Sequence, residues 1–361
     1  MADLPLVLPF ILYFSLPFYA LVRKPSPYRP LLILPIAAIA LYLVQFATTD
    51  HPIFDYLLGN LICGNLVSSI DFILLTDVQN ELRLSGQTGP ISRTSLSERL
   101  KWAWKLFIGV RGIGWAHEPK HALSIREKNV TRGSFVAKQT ISLVGYVFTL
   151  RALEVYQHTT GSNYVPKHFS GTAHSIFETL QLPLLASLTT FAHMSMSYTS
   201  LGALSVGLKI SDPEDWPPLF GALSDAYTIR RFWGRTWHQF LRRMVSSHGK
   251  YLAHRIFHLA KGSVASSYVQ LYTAFFISGV IHHTGDYMIS CLWQGRSLHF
   301  FLMQAVAITA EDGAIRFGKT MGIQGSCWWK GLGFVWCWLW FSYLLPIWLT
   351  PIFEVVDALR T

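Results

Sequence analysis

The sequence predicts an all-α, polytopic membrane protein, and three observations carry that expectation. First, 51% of the 361 residues are hydrophobic and only 14% charged, whereas an ordinary soluble domain carries roughly 25% charged residues. Second, the apolar residues are gathered into blocks rather than spread at amphipathic spacing, which excludes a soluble globular fold. Third, the basic residues fall between the blocks and on alternate sides of them.

A helix needs about 20 predominantly apolar residues to cross a hydrocarbon core of about 30 Å. Eight blocks qualify: 4–22, 31–48, 52–75, 134–150, 174–208, 266–291, 298–315 and 331–353. The first has no basic residue before it and no small-residue cleavage pattern after it, so it reads as a retained helix rather than a signal peptide. The fifth exceeds one simple crossing and holds Pro183, which suggests a kinked helix or a re-entrant piece followed by a span. No internal repeat or hinge-like linker divides the chain, so residues 1–361 read as one multi-span domain.

Of the 30 Lys and Arg residues, 25 lie in 23–29, 77–133, 209–262 and 316–330. These alternate segments read as cytoplasmic, leaving both termini on the opposite side with Arg151, Lys167, Arg296 and Arg360. The sequon at Asn129 then falls in a cytoplasmic loop, away from the glycosylation machinery. In the two large cytoplasmic segments, 77–133 and 209–262, cations alternate with bulky apolar residues. Lys101–Phe107 and Ile229–Met244 in particular suit interfacial helices with rings at headgroup depth. The net charge of +10 therefore faces anionic lipid or an anionic ligand, not nucleic acid. Four scattered cysteines, without a CxxC pair, indicate neither redox chemistry nor a structural metal.

Ionisable residues inside a span are costly and are functional candidates by default. The densest set lies in the sixth block, from Phe275 to Asp286, where Ser278, His282, His283 and Asp286 share one apolar helix. An imidazole suits general-base work near neutral pH. Ser278, four residues before His282 and on the same face, could bond its second ring nitrogen and fix the tautomer. Gly279 permits close approach of a neighbouring helix or a ligand. A membrane histidine satisfied by a neighbouring helix is the alternative. Asp55 and Asp71 in the third block read as structurally paired, and Glu311 and Asp312 as a cap or partners of Arg316.

The second candidate is the run from Ile229 to Arg243. Its Phe-Trp and Trp-His pairs, Phe232-Trp233 and Trp237-His238, would lie on one helical stripe with Arg231 and Arg235 around them. Arginine pairs suit phosphate, such as the pyrophosphate and 3′-phosphate of coenzyme A, and His238 could donate to a thioester carbonyl. A basic interfacial helix is the competing reading of the same residues.

The string Arg231-Phe232-Trp233-Gly234-Arg235-Thr236-Trp237-His238-Gln239, followed by Ser278-Gly279 and His282 in an apolar helix, resembles the membrane-bound O-acyltransferase superfamily in its wax-synthase-like branch. Arg111-Gly112-Ile113-Gly114-Trp115 resembles that branch's weaker upstream signature. The resemblance covers about residues 205–290 and loosely 102–118. One departure is His283, where the branch often has an acidic residue.

The resemblance implies transfer of an acyl group from acyl-coenzyme A, a co-substrate rather than a bound cofactor, to a hydroxyl of an apolar acceptor. His282 would be the base and His238 an oxyanion donor, with Arg231, Trp233, Arg235, Trp237 and Ser278 binding substrate. It suggests acetyl transfer to a terpenoid-like secondary metabolite, as in compact fungal relatives, with fatty acylation of a long-chain alcohol as the alternative. The endoplasmic reticulum is the expected membrane. A proton-coupled transporter is the rival from another class, but the related halves common in transporters are not evident.

Overall fold

The computed structural model describes residues 6–109, 111–118, 129–160, 173–293 and 295–358. Within them are ten helices of ten or more residues: α1 (Val7–Val22), α2 (Ile33–Phe46), α3 (Pro52–Ile70), α4 (Leu96–Ile108), α5 (Arg132–Thr160), α6 (Ala173–Gly207), α7 (Arg242–Tyr251), α8 (Val264–Ser290), α9 (Ser297–Thr320) and α10 (Cys327–Ala358). All eight apolar blocks are helical where described. Lys167, Arg360 and residues 119–128 of the basic segment 77–133 lie outside the described residues.

Length and apolar character suffice for a crossing in four stretches, 29–46, 52–75, 264–290 and 327–350, while Val7–Val22 is apolar but shorter. α5, α6 and α9 do not reach the same apolar average, because polar residues interrupt each apolar block, such as Lys138 in α5 and Gln304 and Glu311 in α9. α5, for example, carries Arg132, Lys138, Arg151 and Glu154. The long fifth block is one helix with Pro183 inside it.

The described chain forms two compact units, one from Met1–Glu118, Phe240–Thr309 and Glu354–Thr361, the other from Pro119–Gln239 and Ala310–Phe353. In the first, α1, α2 and α3 bury residues at helical spacing, such as Ile36, Ala40 and Leu43 of α2. The Asp55 carboxylate accepts from Thr48 Oγ1 at 2.9 Å and from Thr49 Oγ1 at 2.8 Å. Asp71 opens a π turn, Asp71–Leu75, and pairs with Arg243 at 3.1 Å and Thr76 Oγ1 at 2.6 Å. Both aspartates are therefore structurally paired, as the sequence suggested.

α4 begins with a Ser95/Glu98 capping box and buries Trp102, Ala103 and Leu106 against Leu21 and Val22 of α1. Trp104 on its other face is exposed, so this segment is the amphipathic helix its pattern predicts. The Arg111–Trp115 turn uses positive φ at Gly112 and Gly114, which only glycine adopts freely. It seats Trp115 edge-on against Trp102 at 5.3 Å.

α3 and α8 approach closely because small residues face each other. A side chain at Gly59 would meet the backbone of Thr284 and Gly285, and one at Gly285 would meet Tyr56 and Asn60. Such pairings replace the hydrophobic drive that is absent in lipid. Gly279 does the same for α9, lying against Leu298.

In the second unit α5 and α6 form an antiparallel pair. Arg132 at the start of α5 donates to the carbonyls of Val206 and Ser211, Tyr146 meets Phe191 at 5.9 Å, and Tyr156 near the end donates to Gln181 at 2.8 Å. Contacts advance along one helix as they retreat along the other.

Candidate active site

His282 sits on α8 between two aromatic partners in the first unit. Its Nδ1 lies 2.7 Å from the Tyr56 hydroxyl of α3. Its ring stacks on Phe301 of α9, with centroids 4.6 Å apart and planes at 11°. The side chain is only half-buried, so an imidazole fixed on one edge and one face remains within reach of a ligand.

The structure corrects the expected partner of this histidine. The Ser278 hydroxyl donates to the Ala274 carbonyl at 2.9 Å, one turn back, while Tyr56 occupies the position at Nδ1. Spacing four residues apart placed Ser278 on the right face, but a serine oxygen in a helix readily bonds the preceding turn. Tyr56 is 226 residues away. The signal that could have found it is its position in the third block three residues before Gly59, on the face that small residues open to α8.

His283 points elsewhere, against Trp293 with ring centroids 5.4 Å apart. Its Nδ1 is 3.6 Å from Asp286, too far for a hydrogen bond. Asp286 is occupied at the start of α9, where it accepts from Ser297 N at 3.1 Å and Ser297 Oγ at 2.9 Å. The carboxylate thus caps the start of α9.

The second unit holds the tryptophan segment. It is not the continuous helix expected over Ile229–Met244: an α turn (Ile229–Arg231) passes into a π turn (Phe232–Thr236), and Trp237 is extended. The π turn closes with Trp237 N donating to Phe232 O at 2.8 Å. That register stacks the Phe232 and Trp237 rings, with centroids 5.3 Å apart. Trp233 lies edge-on to Phe232 at 5.2 Å and to Phe341 of α10 at 6.2 Å.

His238 follows the turn, 5.7 Å from Trp237 and 6.3 Å from Phe220 by ring centroids. Gln239 is buried and donates to the Trp233 and Trp237 carbonyls, fixing the end of the turn. Arg231 binds Asp225 and lies over the Tyr227 ring at 4.4 Å. Arg235 is 3.8 Å from Asp225 and about half exposed, so it is the more available of the two cations.

One carboxylate holds this segment in register. Glu311 of α9 accepts from Ile229 N at 2.6 Å, Arg230 N at 3.2 Å and Trp336 Nε1 at 2.9 Å. Asp312 grips the Arg230 guanidinium through both oxygens. A carboxylate on the free N–H groups of a helical turn is favourable in charge and in hydrogen bonding. The sequence had assigned these acids to a cap or to Arg316. The expected cap was that of the seventh span, whereas Glu311 lies within that helix and caps a turn 82 residues away in sequence.

Among the described residues, then, are helices apolar enough to cross a bilayer, one of which holds a hydrogen-bonded, partly buried imidazole. Residues 216–303 match the membrane bound O-acyl transferase family. The chain is 36% identical to the acetyltransferase ple2 of Rhodocybe pseudopiperita, over 94% of this chain and 89% of that protein. It is likewise 36% identical to the acetyltransferase eriL of Hericium erinaceus, over 93% and 88%. To the O-mevalon transferase macI of Penicillium terrestre it is 32% identical, over 70% and 63%. No solved structure matches. The chain belongs to the membrane bound O-acyl transferase family and is a membrane acyltransferase.

Proposed function

We propose that this protein transfers an acetyl group from acetyl-coenzyme A to a hydroxyl of an apolar secondary metabolite, such as a terpenoid, with His282 as general base. The acceptor O–H gives its proton to Nε2 of His282 as the oxygen attacks the thioester carbonyl. The tetrahedral intermediate then collapses, the C–S bond breaks, and the thiolate leaves as coenzyme A after taking the proton back from the imidazolium. No covalent enzyme intermediate is required. His238 is assigned the hydrogen bond to the developing oxyanion. Arg231 and Arg235, with Trp233 and Trp237, are assigned to the donor, and Ser278 to the acceptor side.

The observation that carries this reading is the half-buried imidazole of His282, bonded at Nδ1 and stacked on Phe301, within the span that matches the family. The names of the fungal relatives support the acetyl donor. The basic asymmetry supports eight crossings with 77–133 and 209–262 cytoplasmic, in the endoplasmic reticulum, where eukaryotic multi-span chains are inserted.

The test is purified protein in nanodiscs, supplied with acetyl- or palmitoyl-coenzyme A and either a terpenoid alcohol or a long-chain alcohol. The proposal expects acetylated terpenoid. Palmitoyl ester of the long-chain alcohol as the main product would move the assignment to wax synthesis, and no ester from any pair would overturn it.

A further inference from the structure

A base needs its lone pair on the side facing the substrate, and in a neutral imidazole that is decided by which nitrogen carries the proton. In this chain the partner that decides it is a phenol. We infer that Tyr56 is the positioning residue of His282: its oxygen accepts the Nδ1–H, which holds the ring in the tautomer with Nε2 unprotonated, the form that can take the proton of the acceptor hydroxyl. This inference rests on the proposed role of His282 as base.

Three observations converge on that role. The Tyr56 hydroxyl and Nδ1 are 2.7 Å apart, a hydrogen-bond distance, with the two ring planes tilted by 30°. The nearby acid, Asp286, accepts from Ser297 N and Oγ, while the bond at Nδ1 of His282 is made by Tyr56. Finally, the fold makes room for this tyrosine. Gly285, three residues beyond His282, has no side chain where Tyr56 Cδ2 and the Tyr56 carbonyl pass, each 2.8 Å from where a Cβ would stand. Phe301 stacks on one face of the imidazole, and a flip of the ring about Cβ–Cγ would put a carbon in place of Nδ1 and forfeit the bond to Tyr56.

The direction of the bond follows from what surrounds the phenol. If Tyr56 donated to Nδ1, the proton would sit on Nε2 and the ring could not act as base. As an acceptor Tyr56 needs somewhere for its own proton, and the side chains of Asn60, one turn along α3, and of Ser297 stand beside its hydroxyl to offer one. A neutral phenol also differs from the carboxylate that orients the histidine of a hydrolytic triad. It fixes the tautomer without placing a negative charge in the bilayer, where an unpaired charge is costly.

The experiment compares wild type, Tyr56→Phe, Asp286→Asn and His282→Ala in the same nanodiscs, measuring kcat, donor KM and the thermal midpoint. Tyr56→Phe keeps the ring that packs against Gly285 and removes only the oxygen. It is expected to lower kcat by about 10- to 100-fold with donor KM within about twofold, because the group acts on the base and not on binding. Asp286→Asn, which keeps an acceptor for Ser297, is expected to stay within about tenfold of wild type.

Fluorotyrosines incorporated at position 56 read the direction of the bond. They weaken the phenol as an acceptor and strengthen it as a donor with little change in volume, so kcat should fall as fluorine is added. A rise along that series would reverse the bond and overturn the inference. Tyr56→Phe with wild-type kcat, while His282→Ala is inactive, would also overturn it and leave His282 as base. An active His282→Ala would instead remove the reading on which the inference rests.

Discussion

A methyl group at Gly59 has no room. Its Cβ would stand 2.8 Å from the Thr284 carbonyl oxygen, 2.9 Å from Gly285 Cα and 3.0 Å from Gly285 N, all backbone atoms of α8. Ordinary contact for a Cβ begins at 3.4 Å, so α3 and α8 must part by about 0.5 Å. Overpacking of this kind costs about 1–3 kcal/mol, and rigid backbone on the receiving side puts it toward the upper end. The same displacement acts on the base. Tyr56, one turn before Gly59, would see its 2.7 Å bond to His282 stretch to about 3.2 Å, the edge of the useful range. Gly59→Ala should therefore lower both the thermal midpoint and kcat, the latter by about tenfold, with donor KM unchanged. Unfolding and initial-rate assays in nanodiscs read both effects. Gly145→Ala is the control, because nothing lies within 4 Å of its Cβ, and it should leave both unchanged or raise stability slightly. Gly59→Ala with wild-type midpoint and turnover would refute the argument that this crossing sets the site.

Two further changes test other parts of the structure. Glu311→Gln removes the charge that caps Ile229 and Arg230 and accepts from Trp336. It should cost about 1–3 kcal/mol and hasten proteolytic cleavage between residues 221 and 239; an unchanged cleavage rate would contradict the capping role. His117 is held down to about 4 from 6.5, chiefly by burial and then by the charges of Arg243 and Lys250. The unfolded chain takes up that proton more readily, so this contribution to stability is complete above about pH 6.5 and is lost as pH falls toward 4. His117→Phe should flatten the decline in stability across that window, and an identical decline in the variant would contradict the assignment.

The sequence was most legible where periodicity is strong. Every apolar block is helical where described, and the pairing of Asp55 and Asp71 followed from the cost of lone charges in lipid. It was least legible where a partner comes from far along the chain. Ser278 had the right spacing but spends its hydroxyl on Ala274, while Tyr56 reaches His282 only because Gly59 and Gly285 let two helices touch. The tryptophan run reads as one helix by composition. Its π register and the extended Trp237 depend on Gln239 binding back to the Trp233 and Trp237 carbonyls and on Glu311 holding the first turn, neither of which periodicity encodes.

Turnover of His282→Ala and His283→Ala, measured side by side in the same membranes together with acetyl-coenzyme A binding, tests the central claim most directly. Adjacent helical residues point about 100° apart, and here one ring meets Tyr56 and Phe301 while the other meets Trp293. His282→Ala is expected to lose about 10² to 10⁴ in rate while still binding the donor, and His283→Ala to lose about tenfold or less. An inactive His283→Ala beside an active His282→Ala would contradict the account.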